Sequence, residues 1–155
     1  MTNYYPPVGF HFKVQFSGIE QSDGDTFFQT VSGLSSSIET EEVAFGGENR
    51  YKHILPVRTK YPNLVLKRGV LIDSKVIDWC KKALENFEFK PVDLIVTLLN
   101  EEQQPLMTWN IVHAYPIRWE VEEFNSMESK LVAETIELTY HYFTTLKGTK
   151  KEQNR

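Results

Sequence analysis

The sequence has few of the residues that would build a disulfide framework, a metal site or a membrane span. It contains a single cysteine, Cys80, so no intrachain disulfide is possible. Its four histidines, His11, His53, His113 and His141, include no pair at the ligand spacing of a helical metal site. No apolar run approaches the roughly 18 residues of a transmembrane helix. These absences predict a chain with no metal, no cofactor and no membrane insertion.

A recognisable catalytic constellation is also missing. The serines of 32–37 lack the Gly-x-Ser-x-Gly spacing of a nucleophile elbow, and Gly46-Gly47 is not followed by the Gly-Lys-Ser/Thr of a phosphate loop. Adjacent glutamates such as Glu41 and Glu42 would point to opposite faces of a strand. Cys80 falls on the apolar stripe of a predicted helix, which favours packing over nucleophilic chemistry. We therefore expect a protein that is not an enzyme.

The net charge bears on which partners the chain binds, and the first residues bear on whether it is secreted. A formal net charge of −4 argues against nucleic acid as the main partner, because affinity for it comes largely from neutralising phosphates. The opening residues, Met1 to Pro7, have neither the basic nor the apolar region of a secretory signal. We expect assembly in the cytoplasm, and release by another route if the protein acts outside the cell.

Alternating apolar and polar residues predict strands along most of the chain. The pattern is unbroken from Val8 to Phe16, where every second residue is apolar. Further predicted strands cover 26–32, 37–45, 92–99, 107–113, 117–121 and 132–142, with a bend at Pro116. These strands predict a mainly β fold, an antiparallel β-sandwich or barrel-like subunit. We expect one domain over 8–146, with flexible segments at 1–7 and 147–155.

One amphipathic helix is predicted at about 74–87. Its apolar stripe is formed by Val76, Ile77, Cys80, Ala83, Leu84 and Phe87, and charged residues occupy the other side. The helix follows the strand-like stretch Asn63-Leu-Val-Leu-Lys-Arg-Gly69, in which Leu64 and Leu66 alternate with polar or smaller residues. We expect the helix to cover the outside of a sheet, and Lys67 and Arg68 to lie together at a polar strand end.

The distribution of charge indicates assembly rather than catalysis. Basic residues cluster in the stretch 48–62, where Pro56 and Pro62 favour an irregular loop, and at Lys67-Arg68. Acidic residues cluster at 39–42 and 120–123. A basic arm and separate acidic strands suit head-to-tail packing of identical subunits into a ring.

Several stretches taken together resemble the tail tube proteins of contractile-tailed bacteriophages and of related extracellular contractile injection systems. The resemblance covers roughly 8–143. It begins with Val8-Gly-Phe-His-Phe-Lys-Val-Gln-Phe16 and Phe28-Gln-Thr-Val-Ser-Gly-Leu34, and it is most specific at Asn63–Gly69 with Trp79 in the following helix. It continues through Thr108–Trp119 and Glu134-Thr-Ile-Glu-Leu138.

This resemblance implies hexameric rings that stack into a hollow tube, surrounded by a sheath and joined to spike, hub and baseplate proteins. The tube would carry DNA or effector proteins as cargo in a phage tail or a phage-tail-like particle. By analogy, the expected subunit contacts are Gly46, Gly47, Arg50, Lys52, Arg58 and Lys60, together with Lys67 and Arg68. Two alternatives remain open: a tube-initiating adaptor between spike hub and tube, and a small monomeric β-barrel that binds a ligand.

Overall fold

The fold is mainly β, with a single α-helix in the described part of the chain. The computed structural model describes residues 10–44, 53–71, 73–126 and 129–147, and side chains outside 124–131 and 147. The strands are β1 (His11–Phe16), β2 (Phe27–Phe28), β3 (Thr30–Ser32), β4 (Ser37–Val43), β5 (His53–Lys60), β6 (Leu64–Gly69), β7 (Val92–Leu99), β8 (Pro105–Ser126), β9 (Ser129–Thr139) and β10 (Tyr142–Lys147). The helix α1 spans Lys75–Asn86, and a short 3-10 helix covers Asp23–Thr26.

The long strand β8 belongs to two sheets that pack face to face. Its first half pairs with β7 and β10, and β7 pairs with β1, which in turn pairs with β2. We call this group the front sheet. From Tyr115 onward β8 pairs with β9, followed by β6 and β3, and we call this group the back sheet. All of these pairs are antiparallel, and the described sheet does not close into a barrel. The predicted fold class is confirmed.

The bend predicted at Pro116 lies where β8 passes between the sheets. The register of β8 against β9 shifts between Pro116 and Arg118, so one extra residue is accommodated there. Such a bulge increases local twist and lets one strand serve two sheets. The core then fills from both sides, with Val14 and Leu94 from the front sheet and Leu66 and Ile136 from the back sheet.

The helix α1 closes one side of this core. Ser74 caps its first turn by accepting a hydrogen bond from the Ile77 amide at 3.2 Å, and Phe87 ends it in the left-handed conformation. The predicted bounds are therefore confirmed to within the cap residues. The buried side includes Val76, Ile77, Cys80 and Ala83 as expected, whereas Leu84 and Phe87 of the predicted stripe are exposed.

The expected irregular loop at 48–62 is wrong in its second half, where β5 forms a two-stranded ribbon with β4. Pro56 is tolerated because the register shifts beside it: Glu39 faces Arg58 and Thr40 faces Pro56, which leaves Val57 as a bulge. The ribbon also continues the β3–β6 ladder in the same register. The Ser37–Lys60 pair lies five residues from the Ser32–Val65 pair along both strands. The four strands therefore form one long interrupted hairpin.

Two other predicted strands are each divided in the structure. The segment 26–32 splits at Gln29 into β2, which pairs with β1, and β3, which pairs with β6. The last strand breaks at 140–141 and continues as β10 to Lys147, into the segment predicted as a tail. At both breaks the inward-facing side chains change phase, from Phe28 to Val31 and from Leu138 to Phe143, so one alternating pattern does not describe either segment. The rest of the predicted tail and the segment 1–7 lie outside the described residues.

Candidate functional site

The described residues contain no group of three or more histidine, cysteine, aspartate or glutamate side chains placed to hold a metal ion. Cys80 is completely buried, and this burial raises the pKa of its thiol to about 12, far from that of a nucleophile. The exposed rings of His113 and His141 stack with centroids 4.2 Å apart. None of the helices in the described ranges is long and apolar enough to cross a membrane.

The main polar feature is a buried ion network centred on Arg68. Its guanidinium contacts the Asp25 carboxylate at 2.7 Å and the Glu134 carboxylate at 3.1 Å, and it donates to Ser74 Oγ at 2.9 Å. Arg68 is 3% exposed, and Asp25 and Glu134 are each 1% exposed. Its guanidinium also lies 4.4 Å from the centroid of the Phe28 ring. The ion pairs and hydrogen bonds of Arg68 thus connect β6 with the 3-10 helix, β9 and the start of α1 inside one subunit.

The two carboxylates of this network have further donors. Asp25 Oδ2 accepts hydrogen bonds from the amides of Lys75 and Val76 at the start of α1, and Ser74 Oγ donates to Asp25 Oδ1 at 2.6 Å. Glu134 Oε1 accepts a hydrogen bond from Trp119 Nε1 at 3.0 Å. An anionic group at a helix N-terminus is stabilised by the unpaired amides and the helix dipole. Among the described residues, every buried polar side-chain atom has a partner.

The expectation that Lys67 and Arg68 lie together at a polar strand end is therefore wrong for Arg68. Neighbouring residues of a strand point to opposite faces, so Lys67 is exposed whereas Arg68 enters the core. A sequence signal for the network did exist. Glu134 interrupts the apolar face of β9, and Arg68 stands directly opposite it in the β6–β9 ladder. A charged residue on the inward face of each of two strands is the pattern of a buried ion pair.

The ribbon β4–β5 carries the other predicted contacts that the structure describes. Arg58 and Lys60 are exposed, and both approach Glu39, at 3.2 Å and 3.8 Å. Register places Ile38 and Ile54 together on the opposite side of the ribbon, each 62% exposed. A two-stranded ribbon with uncovered isoleucines is marginal by itself and suits a surface that a neighbour covers. The predicted contacts Gly46, Gly47, Arg50 and Lys52 lie outside the described residues.

The back sheet has unpaired edges on both sides in the described part of the chain. β3 pairs only with β6, and β8 beyond Ala114 pairs only with β9. The front sheet differs, because its β1 edge is closed by β2 and by Gln21. The Gln21 side chain accepts from the Phe16 amide at 2.7 Å and donates to the Val14 carbonyl at 3.1 Å. The back sheet can therefore be extended in both directions by added strands, whereas the front sheet offers the β10 edge and, on its other side, only the two residues of β2.

Solved structures of contractile particles contain chains similar to this one. A chain of the anti-feeding prophage baseplate, determined with 6-fold symmetrisation, is 27% identical with a TM-score of 0.74; the match covers 96% of this chain and 99% of that one. A chain of the sheath–tube complex of an extracellular contractile injection system, PVC, is 24% identical with a TM-score of 0.68 and covers 94% of each chain.

More distantly related solved structures share the same fold. Hcp1 from Flavobacterium johnsoniae is 12% identical with a TM-score of 0.53, and the match covers 89% of this chain and 96% of that one. A search among curated protein sequences found no significant match. The model of the family described as T4-like virus tail tube protein gp19 matches residues 8–144. The chain belongs to this tail tube family, and it is a structural tube subunit.

Proposed function

We propose that the chain forms hexameric rings that stack into the hollow inner tube of a contractile particle. The observation that carries this proposal is the back sheet with its two unpaired edges. Its strand order is β8–β9–β6–β3, and every neighbour is antiparallel. Consequently β3 and β8 run in opposite directions. When the β3 edge of one copy meets the β8 edge of the next, the antiparallel alternation continues without a break.

Such a head-to-tail contact closes into a ring when the rotation per copy is suitable. The 6-fold symmetrised baseplate that contains a 27% identical chain supports six copies. The core side of the back sheet is covered by the front sheet and by α1. The other side, which we call the back face, therefore lines the conduit, and the front sheet lies at the outer wall. Lys67 is on the back face, so this arrangement places it at the lumen.

The ribbon β4–β5 extends from the same sheet and supplies contacts between stacked rings. Arg58 and Lys60 remain candidates for these contacts, as do the basic and glycine positions of 46–52. Arg68 is removed from the candidates because it is enclosed within its own subunit. The role is structural rather than enzymatic. The expected partners are further copies of the chain, a sheath, hub and baseplate proteins, and a DNA or protein cargo, with assembly in the cytoplasm.

Amide hydrogen exchange of subunits and of assembled tubes tests the edge contact. On assembly, the amides of β3 and of 117–123 that point away from the existing partner strands should become strongly protected, because they gain strand partners. The amides of β1 provide the control, since their outer edge is already closed within the subunit. Negative-stain microscopy must show rings or tubes in the same sample. A protein that stays monomeric at high concentration, or tubes in which the amides of β3 and 117–123 exchange as in the monomer, would refute the proposal.

A second role is supported by the likeness to a baseplate chain. A tube-initiating adaptor would use the same edges but would be present as about one ring per particle. Quantifying the chain against the sheath protein in purified particles separates the two roles, because a main tube subunit should be present in many rings.

A further inference from the structure

The front sheet has the same strand geometry that lets the back sheet extend from one copy to the next. Between its long edges the strand order is β1–β7–β8–β10, and every neighbouring pair is antiparallel. Consequently β1 and β10 run in opposite directions, as β3 and β8 do in the back sheet. If both edges were open, the β10 edge of one copy could pair with the β1 edge of another. The strand order therefore allows two routes of head-to-tail assembly.

The outer edge of β1 is closed in two parts by the chain that follows it. β2 covers the first part, opposite Phe12 and Lys13. One side chain covers the second part: Gln21 Oε1 accepts from the Phe16 amide at 2.7 Å, and Gln21 Nε2 donates to the Val14 carbonyl at 3.1 Å. A carboxamide carries a donor and an acceptor, as a peptide group does. The Gln21 side chain thus occupies the place of a partner strand.

The main chain after β1 does not itself form a strand beside Val14 and Phe16. It reverses at Gly18, whose φ of +78° is left-handed, and then forms the 3-10 helix. This helix directs the Asp25 carboxylate to Arg68 in the buried network. Gln21 Nε2 also lies 3.3 Å from the Asp25 carbonyl, so the half-buried side chain is held between β1 and the helix. Its position is fixed by the fold and is not that of a free surface glutamine.

We propose that Gln21 is a specificity-determining residue of assembly, which keeps the β1 edge from accepting the β10 edge of another copy. The contact that it protects, the one through the back sheet, rests on the proposed function. While Gln21 is in place, the Phe16 amide and the Val14 carbonyl are not available to an incoming strand. Without it, both groups become free and the second route opens. Copies joined through both sheets would give open or branched polymers instead of closed rings.

The test compares variants of the purified chain under conditions in which the unaltered protein assembles. Gln21→Ala removes both hydrogen bonds to β1. Gln21→Glu loses the donor to the Val14 carbonyl but places a charge at the edge, and a charge at an edge opposes strand addition. Gln15→Ala is the matched control, since it removes an exposed glutamine side chain from the same strand and leaves the edge closed. Negative-stain microscopy distinguishes rings from irregular polymers, and thermal melting reports folding.

We expect the Phe16 amide to exchange faster in dilute Gln21→Ala than in the unaltered subunit, by roughly tenfold or more. At higher concentration, the share of this variant in irregular polymers should rise by about tenfold or more, and its Phe16 amide should be protected again in them. Gln21→Glu and Gln15→Ala should form rings. A role confined to stabilising the turn would lower the melting temperature of the alanine and glutamate variants alike and would give no polymers from folded subunits.

Gln21→Ala subunits that fold and form only normal rings would overturn the proposal. Polymers in which the Phe16 amide still exchanges as in the monomer would also overturn it, because the copies would then be joined elsewhere. The same holds for equal amounts of polymer from Gln15→Ala. If Gln21→Ala fails to fold, Gln21→Asn decides the question, since it carries the same group on a shorter side chain. Absence of rings from the unaltered protein would instead refute the proposed function, whereas polymers of Gln21→Ala joined through β1 would still support closure of this edge by Gln21.

Discussion

Replacing Arg68 by methionine should destabilise the subunit more than most single substitutions would. The change leaves the carboxylates of Asp25 and Glu134 buried without their cation, each with 1% exposure. Removing one partner of a buried ion pair typically costs about 3–5 kcal/mol, because an uncompensated charge stays behind. The lost contact with the Phe28 ring adds about 1 kcal/mol. We expect a total loss of about 5 kcal/mol, or roughly 10–20 °C in melting temperature for a domain of this size.

A second substitution distinguishes unpaired charge from lost packing. Adding Glu134→Leu to Arg68→Met removes one stranded carboxylate, while Asp25 keeps its donors at Ser74 and at the start of α1. Trp119 Nε1 loses its acceptor, which costs about 1–3 kcal/mol. The double variant should nevertheless be more stable than Arg68→Met, as apolar replacement of whole buried ion networks has been in other proteins.

Urea unfolding followed by tryptophan fluorescence gives both free energies. The reasoning fails if Arg68→Met lies within about 1 kcal/mol of the unaltered protein, since a buried unpaired charge must cost more than that. It also fails if the double variant is the less stable of the two. Lys67→Glu is the control. It changes the neighbouring charge on the exposed side of β6 and should leave the free energy of unfolding within about 0.5 kcal/mol.

Three further outcomes are expected. Trp79→Ala should lower the free energy of unfolding by about 3 kcal/mol or more, measured by urea unfolding, because it removes a buried ring whose Nε1 donates to the Lys90 carbonyl at 2.8 Å. Ile38→Ser with Ile54→Ser should leave the melting temperature of the subunit nearly unchanged but prevent stacked tubes in micrographs; normal tubes would contradict a role for the ribbon. Folding raises the pKa of Cys80 from 9.0 to about 12. The stability that the buried thiol contributes is therefore complete below pH 9 and is lost as the pH rises toward 12. In unfolding experiments, the free energy of unfolding of a Cys80→Ala variant should fall less between pH 9 and pH 12.

The elements that were predictable from sequence are those whose signal is local. The helix α1 shows both its period and its Ser74 cap in the sequence, and the central strand β7 is bounded by Pro91 and by the polar turn before Pro105. The strand β4 lies within the predicted strand 37–45, whereas β5 is not predicted because the only local signal in its segment, the prolines, indicates a loop. What stabilises β5 is pairing with a strand ten residues earlier, together with the bulge at Val57 that accommodates Pro56.

The buried network shows why the site was only partly predictable. Glu134 was visible as the one polar residue on the inward face of its strand, and Arg68 was visible as part of a basic pair. Their meeting depends on the β6–β9 register, which no local pattern determines. Asp25 arrives from a third segment, the 3-10 helix, 43 residues before Arg68 in sequence. The unpaired edges of β3 and β8 are likewise a property of strand order.

The exposed ribbon has a consequence for how such a tube begins. An isolated two-stranded ribbon gains too little from its own contacts to offset the entropy of ordering it. In the proposed stack, neighbouring rings would cover Ile38 and Ile54 and compensate for that loss. The first contact between two rings then carries the free-energy cost of ordering the ribbon, and each later ring joins a surface that is already ordered. Growth of this kind has a nucleation barrier, which explains why a tube of this chain would start from a template of fixed geometry and not at random in solution.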